Sequence, residues 1–215
     1  MKGRIANISL RTVASISDNR ILLEETIAYS FSGGQESDTA SINGFPVLAS
    51  EMEGNLIYYT IPHKHNLNHG DKVRMEIDWQ RRYRLMRLHF AAELILEIIT
   101  RKVAIEKIGA HIAEDKARID FKYNSNISYL FADILTEYNE LITKDHTIKT
   151  GFSDEVTQKR YWEIEGFSRV PCGGTHVRST SEVGFINLKR VNVGKGKERI
   201  EIRVIDDSIP KVICT

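Results

Sequence analysis

A short loop near the end of the chain places a thiol and an imidazole four residues apart. Two glycines and a threonine separate Cys172 from His176, and Pro171 precedes the pair. Zinc prefers thiolate and imidazole ligands, and Gly173 and Gly174 can adopt the positive φ values that would aim both side chains at one centre. One loop cannot complete a tetrahedral site, so a metal site requires the fold to bring other ligands here. The alternative is a glycine turn beside a buried cysteine.

A second pair of candidate ligands lies on a predicted helix far upstream of this loop. Residues 81–94 are good helix formers and include neither glycine nor proline. His89 and Glu93 are one helical turn apart within this run, so both side chains project from the same face. An ordinary surface hydrogen-bonded pair has the same spacing. Taken together with Cys172 and His176, the pair predicts a helix and a loop that meet around one zinc ion.

Four segments match the pattern of a known family, in the family's own order. They are the Gly-rich segment 32–39, the helical segment 78–89, the segment 111–121 and the loop 171–177. Together they resemble the editing domain of alanyl-tRNA synthetases and, more closely, the freestanding trans-editing proteins of the AlaX family. Editing domains of threonyl-tRNA synthetases share the helix and the Cys/His loop, but the Gly-Gly-Gln sequence favours the alanyl branch.

The resemblance implies an aminoacyl-tRNA deacylase that acts in trans and needs no ATP. Its substrate would be tRNA(Ala) wrongly charged with serine or, as a second substrate, with glycine, and the bond cut would be the ester to the terminal ribose. Proofreading of this kind has a physical reason. A pocket shaped for alanine rejects glycine poorly and cannot strongly exclude a side chain that adds only a hydroxyl.

The resemblance also implies a set of site residues with Zn²⁺ as cofactor. His89, Cys172 and His176 would be ligands, and Glu93 would be either a fourth ligand or a general base. Two more residues, Gln35 and Thr175, would supply polar groups to the catalytic pocket. Zinc in such a site can bind the substrate's amino group, polarise the ester carbonyl or acidify a bound water, and the sequence leaves these alternatives open.

The chain departs from the family's pattern at four positions. On the helix, Glu93 replaces the family's second histidine, and Phe90 stands where a small or hydroxylated residue is usual. In the Gly-rich segment, Ser32 and Glu36 replace a glycine and a proline. The helix departures favour an alternative function, a homologue that has lost zinc and catalysis and binds tRNA or protein. Stoichiometric zinc in the purified protein would distinguish the two functions.

The charge balance gives the chain no general attraction for a polyanion such as RNA. Lys and Arg number 30 against 29 for Asp and Glu, so RNA binding has to rely on local patches. Candidate patches are the arginines on and before the predicted helix and the basic residues near the chain end: Arg74, Arg81, Arg82, Arg84 and Arg87, and Lys189, Arg190, Lys195, Lys197, Arg199 and Arg203. The alternative for each is a solvated face.

No apolar run is long enough for a signal peptide or a membrane span, so we expect a cytoplasmic protein without a membrane partner. With only two cysteines, Cys172 and Cys214, we do not expect a disulfide framework of the secreted kind. A reducing compartment also suits a thiolate ligand. Nothing in the sequence indicates an oligomeric state.

The first part of the chain, residues 1–70, predicts a small β-barrel or sandwich. Short β-like runs separated by turns fill it and continue just beyond it, at residues 5–10, 20–24, 26–29, 56–61 and 73–78. Asn43-Gly44 between apolar residues predicts a hairpin.

Residues 71–215 predict an α/β editing domain with an antiparallel sheet and packed helices, so the fold class is α+β. The patterns predict a helix from about Gln80 with His89 at the edge of one core face, and further helices at residues 128–145 and 153–161. A strand is predicted at residues 117–121 and a hairpin at residues 183–204.

Overall fold

The computed structural model describes residues 7–157 and 159–205. The chain mixes α and β structure, and antiparallel sheets accompany two α-helices, as the sequence predicts. It divides into two compact units. Of the described residues, the first unit contains 7–32 and 36–82, and the second contains 33–35, 83–157 and 159–205. The domain division at residue 70 stays a prediction. None of the described helices is long and apolar enough to cross a membrane.

The first unit contains a curled antiparallel sheet of seven strands. The strands are β1 (Ile8–Ser17), β2 (Arg20–Leu23), β3 (Ala40–Ile42), β4 (Phe45–Pro46), β5 (Ala49–Glu53), β6 (Leu56–Thr60) and β7 (Lys72–Ile77). Their order is β4-β3-β7-β1-β2-β6-β5. Strand β1 pairs with β7 up to Thr12 and with β2 from Val13, and the register with β2 shifts between Val13 and Ser15. Because β4 and β5 lie at the two ends of this order, the closed barrel stays a prediction.

The residues of one tight turn and the alternation of apolar with polar side chains along the strands explain this sheet. Asn43 and Gly44 have φ values of 49° and 81° between β3 and β4, which is the pair of positive angles that a two-residue type I′ turn requires. The predicted hairpin is therefore confirmed. The inward-facing side chains of the strands, among them Ile21, Ile42 and Val73, form one buried apolar cluster.

The strand predicted at residues 26–29 is wrong, since no strand forms there. Side chains satisfy the backbone of this segment instead. The Ala28 amide donates to Thr26 Oγ1 at 3.0 Å, and the Tyr29 amide donates to Asp38 Oδ2 at 2.7 Å. Of the strand predicted at residues 5–10, the first two residues lie outside the described residues, and β1 begins at Ile8.

The second unit carries most of the helix α1 (Trp79–Lys102) and two antiparallel sheets. Its other elements are β8 (Glu106–Ile112), β9 (Ala117–Lys122), a 3₁₀ turn (Ile127–Leu130), α2 (Phe131–Lys144), β10 (Lys149–Asp154), β11 (Lys159–Ile164), β12 (Ser168–Pro171), β13 (Ile186–Gly194) and β14 (Lys197–Val204). One sheet has the order β13-β14-β9-β8 and the other β10-β11-β12. The first two predicted helices, the strand at residues 117–121 and the hairpin at residues 183–204 are confirmed.

The helix predicted at residues 153–161 is wrong, because these residues end β10, turn and begin β11. Asp154 explains the error, since its carboxylate accepts the amides of Val156 at 2.9 Å and Thr157 at 3.1 Å. The same bonds would cap a helix, but here they close a turn. The Ser153 hydroxyl donates across the hairpin to the Lys159 carbonyl at 3.0 Å.

Helix α1 is enclosed on more sides than its sequence predicts. Besides the expected apolar face, Met86, Phe90, Leu94 and Ile98 are also buried. His89 is therefore not at the edge of a core face but is 6% exposed. Its imidazole lies in a low-dielectric environment, and this governs its protonation.

Candidate metal centre

Three candidate ligand atoms converge in the second unit. His89 comes from α1, while Cys172 and His176 come from the loop after β12. Cys172 Sγ lies 3.2 Å from His89 Nε2 and 3.3 Å from His176 Nε2, and the three ligand atoms are all within 4.8 Å of one another. Ligand atoms of a tetrahedral zinc lie about 3.3–3.8 Å apart, given bond lengths of about 2.0–2.3 Å. The donor set therefore fits zinc, and the two distances from Cys172 Sγ are close to this spacing.

Two features position the Cys/His loop: backbone pairing with β11, and close packing of the loop backbone at Gly174 against the His89 ring. The Cys172 amide donates to the Arg160 carbonyl at 2.9 Å, which continues the pairing of β11 with β12. A Cβ atom on Gly174 would collide with the His89 imidazole, with its Nδ1 at 3.1 Å and two other ring atoms closer still. A Cβ atom on Gly173 would meet nothing within 4 Å.

The expected role of these glycines is wrong, because neither Gly173 nor Gly174 has a positive φ. The side chains of Cys172 and His176 meet without left-handed backbone at either glycine. What requires glycine at position 174 is the contact between the loop backbone and the face of the His89 ring. This contact joins the helix to the loop.

Burial sets the protonation of the three residues. It lowers the pKa of His89 to about 4, helped by the positive charges of Lys107 and Arg160, and lowers the pKa of His176 to about 3. Both imidazoles are therefore neutral near pH 7, the form that binds metals. Burial, with the nearby Glu93 carboxylate, raises the pKa of Cys172 to about 12. A metal must displace the thiol proton when it binds.

Glu93 contacts this cluster but is not one of its three mutually close residues. Its Oε1 is 3.9 Å from His89 Nε2, and its Oε2 accepts the indole N–H of Trp162 at 3.1 Å. Burial raises the pKa of Glu93, while the bonds from Trp162 and Cys172 and the charge of Lys107 lower it. A raised pKa brings a carboxylate closer to the range in which it can accept a proton at neutral pH.

Two aromatic residues close the space around Glu93. Phe90 and Trp162 are fully buried and meet edge to face, with ring centroids 5.1 Å apart. Phe90 also meets the ring of His176 edge to face at 5.6 Å. The sequence analysis assigns no role to Trp162. Alternation along β11 is the signal that places this residue inward, but the helix predicted at residues 153–161 covers the start of that strand.

Gln35 and Thr175 are brought together by the Gly-rich segment. Gln35 is fully buried, and its Nε2 donates to Thr175 Oγ1 at 2.9 Å, while the Thr175 amide lies 3.4 Å from Gln35 Oε1. Gly34, at φ 87°, allows this segment to contact β8, since a Cβ there would lie 2.5 Å from the Ala110 carbonyl oxygen. Because the Thr175 hydroxyl accepts a bond from Gln35, it can donate its own proton to another group.

Comparison with known proteins identifies the family. A family model described as the threonyl and alanyl tRNA synthetase second additional domain matches residues 160–201. The alanyl-tRNA editing protein AlaX-M of Pyrococcus horikoshii is 34% identical to this chain, over 88% of it and 89% of its own length. The chain belongs to the AlaX family of alanyl-tRNA editing proteins. The AlaX-M of Methanosarcina acetivorans is 31% identical, over 90% of this chain and 93% of its own length.

The chain is also similar to part of an alanyl-tRNA synthetase. The alanine–tRNA ligase of Methanococcus maripaludis (strain C7) is 29% identical over 84% of this chain and 23% of the ligase. The resemblance inferred from the four sequence segments is therefore confirmed.

Most arginines of the two candidate RNA patches in this AlaX chain are paired with acids. Before and on α1 the pairs are Arg74–Glu76, Arg81–Glu36, Arg82–Asp38 and Arg84–Glu114, and on β14 and its neighbours they are Arg190–Glu198, Arg199–Asp120 and Arg203–Asp115. The unexpected charge of Glu36 thus has a partner in Arg81. Lys107 and Arg160, which the sequence did not single out, are the cations whose charge acts on His89 and Cys172.

Proposed function

We propose that this protein is a zinc-dependent deacylase that hydrolyses Ser-tRNA(Ala), and Gly-tRNA(Ala) as a second substrate, in trans. The single observation that carries the proposal is the convergence of His89, Cys172 and His176 within 4.8 Å, in a chain whose relatives are named alanyl-tRNA editing proteins. The partner is tRNA(Ala), the tRNA that relatives of both kinds are named for.

The three convergent residues would hold the zinc ion, and a tetrahedral ion with three protein ligands keeps one position for water or substrate. When bound, zinc would supply Lewis acidity for attack of water on the ester carbonyl. Glu93, with its pKa raised by burial, accepts the proton of the attacking water as general base. The acyl–oxygen bond then breaks, and the ribose oxygen leaves as a hydroxyl when it takes up a proton.

Gln35 and Thr175 are proposed to distinguish serine from alanine. The Thr175 hydroxyl is oriented by the amide of Gln35, so it can donate to the hydroxyl of a seryl group. An alanyl group would leave that donor without a partner, and an unpaired buried polar group discriminates strongly. Lys107 and Arg160 add positive charge beside the site, where the phosphates of the tRNA 3′ end would approach.

The test is a deacylation assay with Ser-tRNA(Ala), Gly-tRNA(Ala) and Ala-tRNA(Ala), with the zinc content of the same preparation measured. We expect hydrolysis of the seryl ester and little of the alanyl ester. Equal turnover of the two would contradict the editing role even though hydrolysis occurred.

The alternative function is a binding module without zinc. It is favoured by Glu93 and Phe90, since a carboxylate replaces the family's fourth ligand and a large ring fills space next to His176. A binding module gains nothing from stoichiometric zinc. Equimolar zinc together with hydrolysis would therefore reject it, and a metal-free protein that binds tRNA without cleaving the ester would support it.

A further inference from the structure

The indole of Trp162 holds one oxygen of the Glu93 carboxylate. Trp162 lies on β11, and its Nε1 donates to Glu93 Oε2 at 3.1 Å. The bond links the helix that carries His89 to the strand whose backbone pairs with Cys172. Leaving a buried polar group without its partner costs free energy, so this bond resists breaking. The bond therefore restrains the orientation of the Glu93 side chain, which also accepts a bond from Cys172.

The other oxygen of Glu93 lies close to His89, but Glu93 is not among the three residues whose ligand atoms are all within 4.8 Å of one another. Its Oε1 is 3.9 Å from His89 Nε2, whereas Cys172 Sγ is 3.2 Å from the same nitrogen. Ligand atoms around a tetrahedral zinc are separated by about 3.3–3.8 Å. A small rotation of the carboxylate toward His89 would bring Oε1 into that range, and the rotation would carry Oε2 away from the indole N–H.

We propose that Trp162 is a positioning residue that keeps Glu93 out of the metal's coordination sphere. This inference rests on the proposed function, because it concerns the metal and the deacylation. A carboxylate bound to the metal would be a fourth protein ligand and would occupy the position needed by water or substrate. Its lone pair would also no longer be available to accept a proton. Trp162 therefore selects one of the two roles that the helical spacing allows Glu93.

Phe90 keeps the indole in the position that this bond requires. Its ring meets Trp162 at an interplanar angle of 70°, and both residues are fully buried. The Phe90 ring also contacts the His176 ring, with centroids 5.6 Å apart, so Phe90 packs against both the indole and a candidate ligand. Of the aromatic side chains that could pack here, only tryptophan offers an N–H from a large apolar ring.

The inference is tested by titrating the full-length protein and Trp162→Phe with Co²⁺, whose visible absorption depends on its ligands and geometry. The variant keeps an aromatic ring against Phe90 and loses the N–H. Released from Trp162, Glu93 should join the metal. We expect Co²⁺ to bind about tenfold more tightly with a changed spectrum, and deacylation to fall about 10–100-fold, the usual range for an outer-shell change.

Two variants separate the hydrogen bond from packing. Ile164→Ala removes buried volume two residues further along the same face of β11 and leaves the indole in place, so it should not tighten Co²⁺ binding. In the double variant Trp162→Phe with Glu93→Gln, the neutral amide is a poor ligand, and the tighter binding should disappear. If Trp162→Phe folds poorly, benzothienylalanine incorporated at position 162 has the size of tryptophan and lacks the N–H.

The outcomes distinguish this inference from the proposed function. If the wild-type protein binds Co²⁺ and the protein without the indole N–H has the same affinity and spectrum, the inference fails while the metal site stands. Weaker binding in that protein would show a merely structural role and would also overturn it. A wild-type protein that binds no Co²⁺ would overturn the metal site and this inference together.

Discussion

Substituting Gly174 by alanine should disable the metal site through one steric contact. The added Cβ would lie inside the van der Waals radius of the His89 ring, and the normal contact distance is about 3.5–4.0 Å. The ring or the loop must therefore move by about 1 Å. A zinc–nitrogen bond tolerates an error of about 0.2 Å, so His89 should be lost as a ligand.

The expected fall in zinc affinity follows from the loss of one of the three proposed ligands. We expect zinc to bind at least about 100-fold more weakly, the upper end of the range for outer-shell changes, since here a ligand itself is displaced. With zinc at about 100 times the wild-type Kd, zinc stabilises the wild-type fold by about 2.7 kcal/mol and the variant by about 0.4 kcal/mol. In a chain of this size the zinc-induced rise in Tm should shrink from about 5–10 °C to about 1 °C.

The matched control is Gly173→Ala in the same loop. Gly173 has an ordinary φ, and a Cβ there meets nothing within 4 Å. The control should keep the wild-type zinc affinity, measured by competition with a chelating dye, and the wild-type Tm shift. The steric argument is refuted if Gly174→Ala binds zinc as tightly as Gly173→Ala, or if both variants lose zinc to the same extent.

Three further predictions concern the other residues of the site. Cys172→Ala should abolish zinc binding with little change in far-ultraviolet circular dichroism, because the loop is not the core; retention of equimolar zinc would contradict the ligand assignment. Glu93→Gln should keep zinc and lose about 10²–10⁴-fold in deacylation if Glu93 is the base, so undiminished hydrolysis would reject that role. Glu93→His should restore the family's ligand set, tighten zinc in the chelator assay and lower hydrolysis, and unchanged zinc affinity would count against it.

The parts of the site that could be predicted from the sequence depend on side-chain chemistry and short spacing. His89, Cys172 and His176 are of the types zinc binds, and their elements were recognisable from a helical run and a glycine-containing loop. The hairpin at Asn43-Gly44 was predictable for a similar reason, since the turn type dictates its residues. In each case the information lies within a few neighbouring residues.

The parts that were missed depend on partners distant in the chain. The reason for Gly174 is a ring from α1, and the reason for Trp162 is a carboxylate from the same helix. The arginines of the predicted RNA patches were counted as free cations, but acids far along the sequence neutralise most of them, as Asp120 does for Arg199 at 2.6 Å. The composition of a short segment does not predict which acidic side chains will pair with its arginines in the folded chain.

The two helix departures from the family's pattern belong to one packed cluster. Phe90 packs on Trp162, and Trp162 donates to Glu93, so each residue contacts the same indole. Burying a carboxylate is costly unless donors reach it, and a protein without need of it would be as stable or more stable with an apolar residue of similar volume. A carboxylate that is buried, held by a donor and 3.9 Å from the His89 imidazole nitrogen therefore favours the proposed metal centre over the alternative binding module.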